Sequence, residues 1–217
     1  LKQDIVEVGR RIWLRGYVAA NDGNISVRVG PNEFLCTPTG VSKGFMTPEM
    51  IIKINSAGEV LSGEWRPSSE LKMHLRVYQE RPDVNAVVHA HPPVSTAFAV
   101  AGIPFNKKFL PEVIITLGEI PLTEYATPST DEVPEAIAEV IKDHDAVLLA
   151  NHGALTLGSD VFNAYYKLET MEHYANVSLV AGQLGGEREL PPERIVQLME
   201  VRRKMGIKGG YPGLGKD

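Results

Sequence analysis

The sequence predicts a single α/β domain in which helices cover the faces of a central mixed, mainly antiparallel sheet. Three observations carry this. Short apolar runs rich in Val, Ile and Leu alternate with stretches of helical periodicity along the 217 residues. Several consecutive strand candidates are joined by turns too short for a crossover helix, so their neighbours must run antiparallel. No internal repeat, low-complexity segment or linker divides the chain, so residues 1–217 count as one domain.

Taken in order, Ile5, Val8, Ile12 and Trp13 recur at helical spacing, which predicts an amphipathic helix over 3–16 closed by Gly16. NISVRV (24–29) and EFLCT (33–37) read as a hairpin around GPN. MTPEM and EVLSGEWRP read as connecting segments around a short apolar run, IIKI. A helix is expected from Ser68, capped by Ser68 or Ser69, with Leu71, Leu75 and Tyr78 inward and its end before Pro82. Residues 86–91 read as a buried strand and PPVSTAFAVAG as the next helix. VIIT (113–116) and the run near PLTEY are expected to be strands, and 131–142 a helix. AVLLAN (146–151) and ALTLG (154–158) are further strands. The longest helix starts at a Ser159 or Asp160 cap and ends at Gly182, and a last one covers about 192–205. The tail from about 207, KGGYPGLGKD, lacks periodicity and is expected to be mobile.

Composition narrows the function. A formal net charge of −5, with Lys and Arg dispersed, gives no basic field for nucleic acid. No apolar run is long enough to span a bilayer, and LKQDIVEVGRR is not a secretory signal pattern, so a soluble, cytoplasmic protein is expected. Cys36 is the only cysteine, which excludes an intramolecular disulfide and a cysteine-based zinc cluster. Neither GxGxxG nor the Walker A pattern occurs.

AVVHAHPP (86–93) breaks the apolar pattern. Side chains at i and i+2 of a strand share a face, so His89 and His91 project together from the strand tip. An HxH alone is compatible with ordinary buried or rim histidines. AVLLAN also runs into a histidine, His152, followed by Gly153. If the two strands are neighbours, three neutral imidazoles meet and leave an open ligand position, the pattern of a catalytic metal site. PSSEL (67–71) places Ser68 and Ser69 at a helix start, where N–H groups and the dipole attract an anion. Glu70 there is either a dipole-complementing glutamate or a carboxylate aimed at the reacting carbon, and it shares a helix face with His74. His74, His144 and His173 otherwise read as structural or surface histidines. NDGNIS (21–26) and TPTG (37–40) suit either a phosphate cradle or ordinary turns.

GNISVR, TPTG, PSSE, AVVHAH and NHG, in this order and at these separations, resemble the class II aldolase/adducin family, and within it the ketose-1-phosphate aldolases. The match runs from about residue 5 to 182. The resemblance implies a three-layer α/β/α fold and a homotetramer with active sites at subunit interfaces. By position, His89, His91 and His152 match the family's zinc ligands. Glu70 matches the glutamate that gives and takes a proton and can ligate the zinc when no substrate is bound. Gly23 with Asn24, Thr39 with Gly40, and Ser68 with Ser69 match the phosphate-binding positions. Related ribulose-phosphate 4-epimerases carry aspartate where this chain has Glu70, which favours the aldolase branch. Adducin-type members lack the metal histidines. Two family tyrosines are missing from their expected places, which read KKFLPEVIITLGE and RKMGI; Tyr211 lies slightly further on as a substitute. Glu112 sits near an acidic residue of a related dehydratase.

The implied activity is zinc-dependent, reversible cleavage of L-fuculose 1-phosphate, or a similar deoxy-ketose 1-phosphate, to dihydroxyacetone phosphate and a small aldehyde. Mn, Co or Fe would also suit such ligands. The alternatives are a metal-dependent decarboxylase or dehydratase of a phosphorylated sugar or sugar acid, and a non-catalytic adducin-like scaffold.

Overall fold

The computed structural model describes residues 1–207. Its strands are β1 (Asn24–Gly30), β2 (Glu33–Cys36), β3 (Ile52–Asn55), β4 (Val60–Ser62), β5 (Ala86–Ala90), β6 (Ala146–Leu149) and β7 (Gly153–Gly158). They form one sheet in the order β4-β3-β2-β1-β5-β7-β6. All six pairings are antiparallel, and the parallel component of the expected mixed sheet is a single isolated bridge between Leu122 and Leu148. The helices are α1 (Lys2–Leu14), α2 (Leu71–Glu80), α3 (Pro93–Ala101), α4 (Pro111–Thr116), α5 (Glu132–Ala138), α6 (Val161–Gln183) and α7 (Pro192–Lys204). Among the described residues no helix is long and apolar enough to cross a membrane.

Strand alternation makes the three layers. Val88, Ala90, Ala146, Leu148 and Ala154 face one side, where α1, α3, α4 and α6 pack over them. Val87, Val147, Leu149, Leu155 and Leu157 face the other side, under α2 and α5. β5, β7 and the edge strand β6 are therefore buried on both faces, which is why β5 and β6 read as continuous apolar runs. Asp160 caps α6 by accepting from the Asn163 N–H at 2.9 Å.

Several elements differ from the sequence expectation. VIIT lies in α4, not a strand. Pro111 sits at its first turn, where a missing N–H costs nothing, and Val113, Ile114 and Leu117 turn inward at helical spacing. A four-residue apolar run cannot by itself separate the two periods. The PLTEY segment makes one parallel bridge to β6, through the Pro121 carbonyl and the Thr123 N–H, and Pro121 lacks the N–H that would extend the ladder backwards. EVLSGEWRP contains the exposed edge strand β4. The 131–142 helix divides into α5 and a 3-10 turn, Val140–Lys142. Neither Ser68 nor Ser69 caps α2, which starts at Leu71 with Glu70 at the cap position and no side-chain cap bond. Leu75 is only half-buried; Met73, His74 and Val77 fill the inward face instead. α6 runs through Gly182 to Gln183. AVVHAH and AVLLAN are not neighbours, because β7 lies between β5 and β6. The tail beyond 207, with Tyr211, lies outside the described residues.

Candidate active site

Three strand ends meet at one edge of the sheet. The register sets Asn24 of β1 opposite His89 of β5, and His89 opposite Leu155 of β7. His91 follows β5 directly. His152 sits in the tight turn joining β6 to β7, so the hairpin rather than strand adjacency delivers it. Asn151 takes a left-handed φ of 56° in that turn, and the His152 N–H closes it on the Leu149 carbonyl at 3.0 Å. Each imidazole offers a nitrogen within 4.8 Å of the others.

The ring orientations are set from outside. His89, with no exposed surface, has Nδ1 2.9 Å from the Ala154 carbonyl; only a protonated Nδ1 can donate there, so Nε2 keeps its lone pair. Nε2 of His91 lies 3.1 Å from Nε2 of His89, and its Nδ1 faces Asp22 Oδ2 at 3.6 Å. His152 Nδ1 is buried without a hydrogen-bond partner, and Nε2 lies 3.1 Å from Glu70 Oε1. Burial pushes the His89 imidazole down to about 3 and lowers His91 as well, so both are neutral at physiological pH.

This donor set fits a first-row divalent cation. Two nitrogens each about 2.05 Å from a tetrahedral ion stand about 3.3 Å apart, close to the His89–His91 spacing. Neutral imidazoles favour zinc and its neighbours over magnesium or calcium, which prefer oxygen.

Glu70 faces the same point. Its Oε2 is 3.4 Å from His89 Nε2, and Asn24 Nδ2 donates to that oxygen at 2.8 Å. Burial alone would raise its pKa, but His89, His152 and the Asn24 amide outweigh burial and hold Glu70 below the ordinary carboxylate range. Glu70 is a carboxylate with one oxygen anchored. The expected Glu70–His74 pair is indirect: His74 bonds to Asn24, which bonds to Glu70.

The small-residue stretches converge beside it. Asn24 Nδ2 lies 3.3 Å from Ser68 Oγ, Thr37 bonds to β1 through Ile25, and a Pro38–Pro67 bridge joins TPTG to PSSE. At Gly23, φ is 74° and a Cβ would come within 2.7 Å of Val18 Cγ1 and 2.9 Å of the His89 carbonyl, so only glycine fits. Thr39 and Gly40 are exposed at the mouth. Ser69 is also exposed, its hydroxyl 2.9 Å from that of Ser129. Glu112 is exposed in the first turn of α4 and is not among the side chains that reach the imidazoles.

One buried group, Lys43, escaped the sequence reading, and a second, His74, was read only as a possible partner of Glu70 or a structural histidine. Lys43 is 1% exposed, and its Nζ donates to the carbonyls of Asn21 and Val41, tying together the loops that carry Gly23 and Gly40. Burial lowers its pKa to about 8. His74 is also sealed in, and burial pushes it down to about 4. Lys43 gave no sequence signal because its partners are backbone carbonyls, and the partner that gives His74 its place, Asn24, lies 50 residues away in the chain.

The family model of the class II aldolase and adducin N-terminal domain matches residues 3–179. An L-fuculose phosphate aldolase from Methanococcus maripaludis is 36% identical over 184 residues, covering 83% of this chain and 97% of that protein. A 3-oxo-tetronate 4-phosphate decarboxylase from Escherichia coli O6:H1 is 33% identical over 186 residues, covering 84% and 87%. The solved structure of an L-fuculose 1-phosphate aldolase superposes with a TM-score of 0.85 at 30% identity, covering 93% of this chain and 95% of that one. The chain belongs to the class II aldolase and adducin N-terminal domain family.

Proposed function

We propose that this family member is a metal-dependent aldolase that cleaves a ketose 1-phosphate, L-fuculose 1-phosphate or a similar deoxy-ketose 1-phosphate, reversibly to dihydroxyacetone phosphate and a small aldehyde. The observation that carries the reading is the convergence of three imidazole nitrogens with a carboxylate anchored on one oxygen. A zinc ion, or Mn, Co or Fe, held by His89, His91 and His152 would supply Lewis acidity at the substrate's ketone oxygen.

The chain's own residues do the rest. Gly23–Asn24, Thr39–Gly40 and Ser68–Ser69 bind the phosphate through N–H and hydroxyl donors, which fixes the adjacent carbons next to Glu70. In the condensation direction the Glu70 carboxylate takes the proton from the hydroxyl-bearing carbon of dihydroxyacetone phosphate. That carbon's electron pair then forms the new bond to the aldehyde carbon, whose oxygen takes a proton from solvent to complete the hydroxyl, while Glu70 gives its own proton up to solvent. Cleavage reverses each step: the C–C bond breaks and Glu70 returns its proton to carbon. With substrate absent, Glu70 is placed to serve as a fourth metal ligand, its oxygens 3.1 and 3.4 Å from His152 and His89 nitrogens. A cytoplasmic homotetramer with sites at subunit interfaces accompanies this reading, and sedimentation as a monomer would count against it.

The decarboxylase relative favours a second reading. Loss of carbon dioxide from a phosphorylated 3-oxo acid leaves the same kind of electron pair beside a carbonyl. Product identity separates the two. Purified protein is given a panel of ketose 1-phosphates and 3-oxo-tetronate 4-phosphate, with and without a strong chelator. Chelator-sensitive release of dihydroxyacetone phosphate together with an aldehyde from a ketose 1-phosphate is the expected result. Decarboxylation of 3-oxo-tetronate 4-phosphate also leaves dihydroxyacetone phosphate, so carbon dioxide from that substrate with no aldehyde from any ketose 1-phosphate moves the assignment to decarboxylation. Glu70→Gln should keep its metal and lose about 10²–10⁴-fold in kcat. Normal turnover by that variant would remove Glu70 from the proton transfer.

A further inference from the structure

Behind Glu70 lies a run of buried polar groups that the mechanism above does not use. The Tyr78 hydroxyl is 2.8 Å from Ser26 Oγ, which is 2.7 Å from His74 Nδ1. His74 Nε2 is 2.5 Å from Asn24 Oδ1, and Asn24 Nδ2 donates to Glu70 at 2.8 Å. Tyr78, Ser26, His74 and Asn24 are each at most 4% exposed.

The direction of every bond follows from donor and acceptor capacity. A carboxylate only accepts, so Asn24 must turn its amide nitrogen to Glu70; the opposite flip would set two acceptors 2.8 Å apart. The Asn24 carbonyl then faces His74 and only accepts, so Nε2 must carry a hydrogen whether the ring is neutral or charged. In the neutral ring Nδ1 accepts from Ser26, whose oxygen accepts in turn from Tyr78. The run ends on the one carboxylate oxygen that has an anchor. Apolar side chains of the same volume would fill this space without the desolvation cost, as they do on the opposite face of the sheet.

We infer that His74 is a positioning residue. Through Asn24 it fixes the direction of the Glu70 carboxylate for proton transfer, and Ser26 with Tyr78 holds the tautomer that lets it do so. The inference rests on the proposed function for the meaning of Glu70, and not for the amide orientation.

The test uses the full chain and three variants. His74→Leu removes the donor and frees Asn24 to flip; kcat is expected to fall 10–100-fold, with KM moving less than threefold and bound metal unchanged. His74→Gln keeps an N–H in reach of the Asn24 carbonyl and should recover most of that loss. Ser26→Ala, the mildest change, should lower kcat several-fold and serves if the leucine variant does not fold. A second readout needs no activity: the Asn24 side-chain amide protons, observed by ¹⁵N NMR in metal-free protein. They should be slow to exchange in wild type and in His74→Gln, and fast in His74→Leu or Ser26→Ala. Wild-type kcat and amide protection in His74→Leu, or in Ser26→Ala where that one is used, would overturn the inference. A glutamine variant as impaired as the leucine one would overturn it as well. If wild type turns over nothing in the panel, the proposed function fails, while the amide exchange still decides the role of His74.

Discussion

The two ends of the sheet both carry polar side chains largely covered by the fold, and they treat them in opposite ways. At the end where β6 begins, half-buried charges meet their opposites. Asp145 accepts from Arg81 at 2.9 Å with one oxygen and from Lys167 at 2.7 Å with the other. Arg81 also binds Asp83 and the Ile141 carbonyl, and Lys167 the Leu157 carbonyl. At the end where β5 finishes, three imidazoles and a carboxylate present lone pairs toward one another, and His152 Nδ1 has no partner. The first arrangement satisfies its charges within the protein; the second leaves lone pairs converging on a point that a cation would fit. Polar residues at a strand end identify a site when their donors and acceptors fail to cancel.

The comparison can be broken most forcefully at the paired end. Asp145→Ala leaves Lys167 buried without a carboxylate and should cost about 3 kcal/mol, the low end for a buried pair because each partner keeps some exposure. Urea unfolding measures the loss, and metal affinity should stay at the wild-type value. A parallel loss of metal affinity would mean the two ends are mechanically coupled. Acid offers the converse. His74 sits at about 4 in the fold and 6.5 when unfolded, so above pH 6.5 it is neutral in both states and contributes nothing. Below that the unfolded chain takes up the proton and the native one does not, so stability falls as pH falls, by about 2 kcal/mol at pH 5. Metal-free wild type and His74→Gln, compared by unfolding, should differ by about that amount in the stability lost between pH 7 and pH 5. Equal losses would show His74 protonated in the native protein.

The same contrast explains what could be read before the fold was known. His89 and His91 stood out because a period of two puts them on one face beyond an apolar strand. His152 stood out because a second such strand ends the same way, although the expected adjacency of those strands was wrong and the β6–β7 turn does the work. The paired end was silent, since an arginine, a lysine and two aspartates spread over 81–167 carry no pattern until the chain folds. Lys43 was silent because its partners are backbone carbonyls, which mark no pattern; His74 showed only as a possible partner of Glu70 or a structural histidine, because the amide it bonds to lies 50 residues away. VIIT failed because its length holds too few residues to distinguish a helix from a strand, and Pro111 was the overlooked cue.

The sharpest small-effect test uses the two glycines that bound β7, one at each end of the sheet. A Cβ at Gly158 would press on the Ala164 backbone nitrogen and come within 2.8 Å of the Asp160 carbonyl, both in the first turn of α6. Those atoms belong to a capped helix and cannot yield without loosening it, so Gly158→Ala should lower stability and leave the metal alone. A Cβ at Gly153 would lie 2.5 Å from His91 Cδ2 and 2.7 Å from the Ala90 carbonyl. That carbonyl is fixed by the β5–β7 pairing, whereas the His91 ring is a quarter exposed and can swing. Gly153→Ala should therefore displace the ring and weaken metal binding about tenfold, within the range for disturbing a ligand's support. It should also lower stability, because the Ala90 carbonyl must shift. Competition against a chelator of known affinity, with unfolding curves on the same samples, separates the two effects. If Gly153→Ala instead loses stability but binds metal with wild-type affinity, His91 has slack. Its position would then come from the strand alone, and the closeness of β7 would serve packing at both ends.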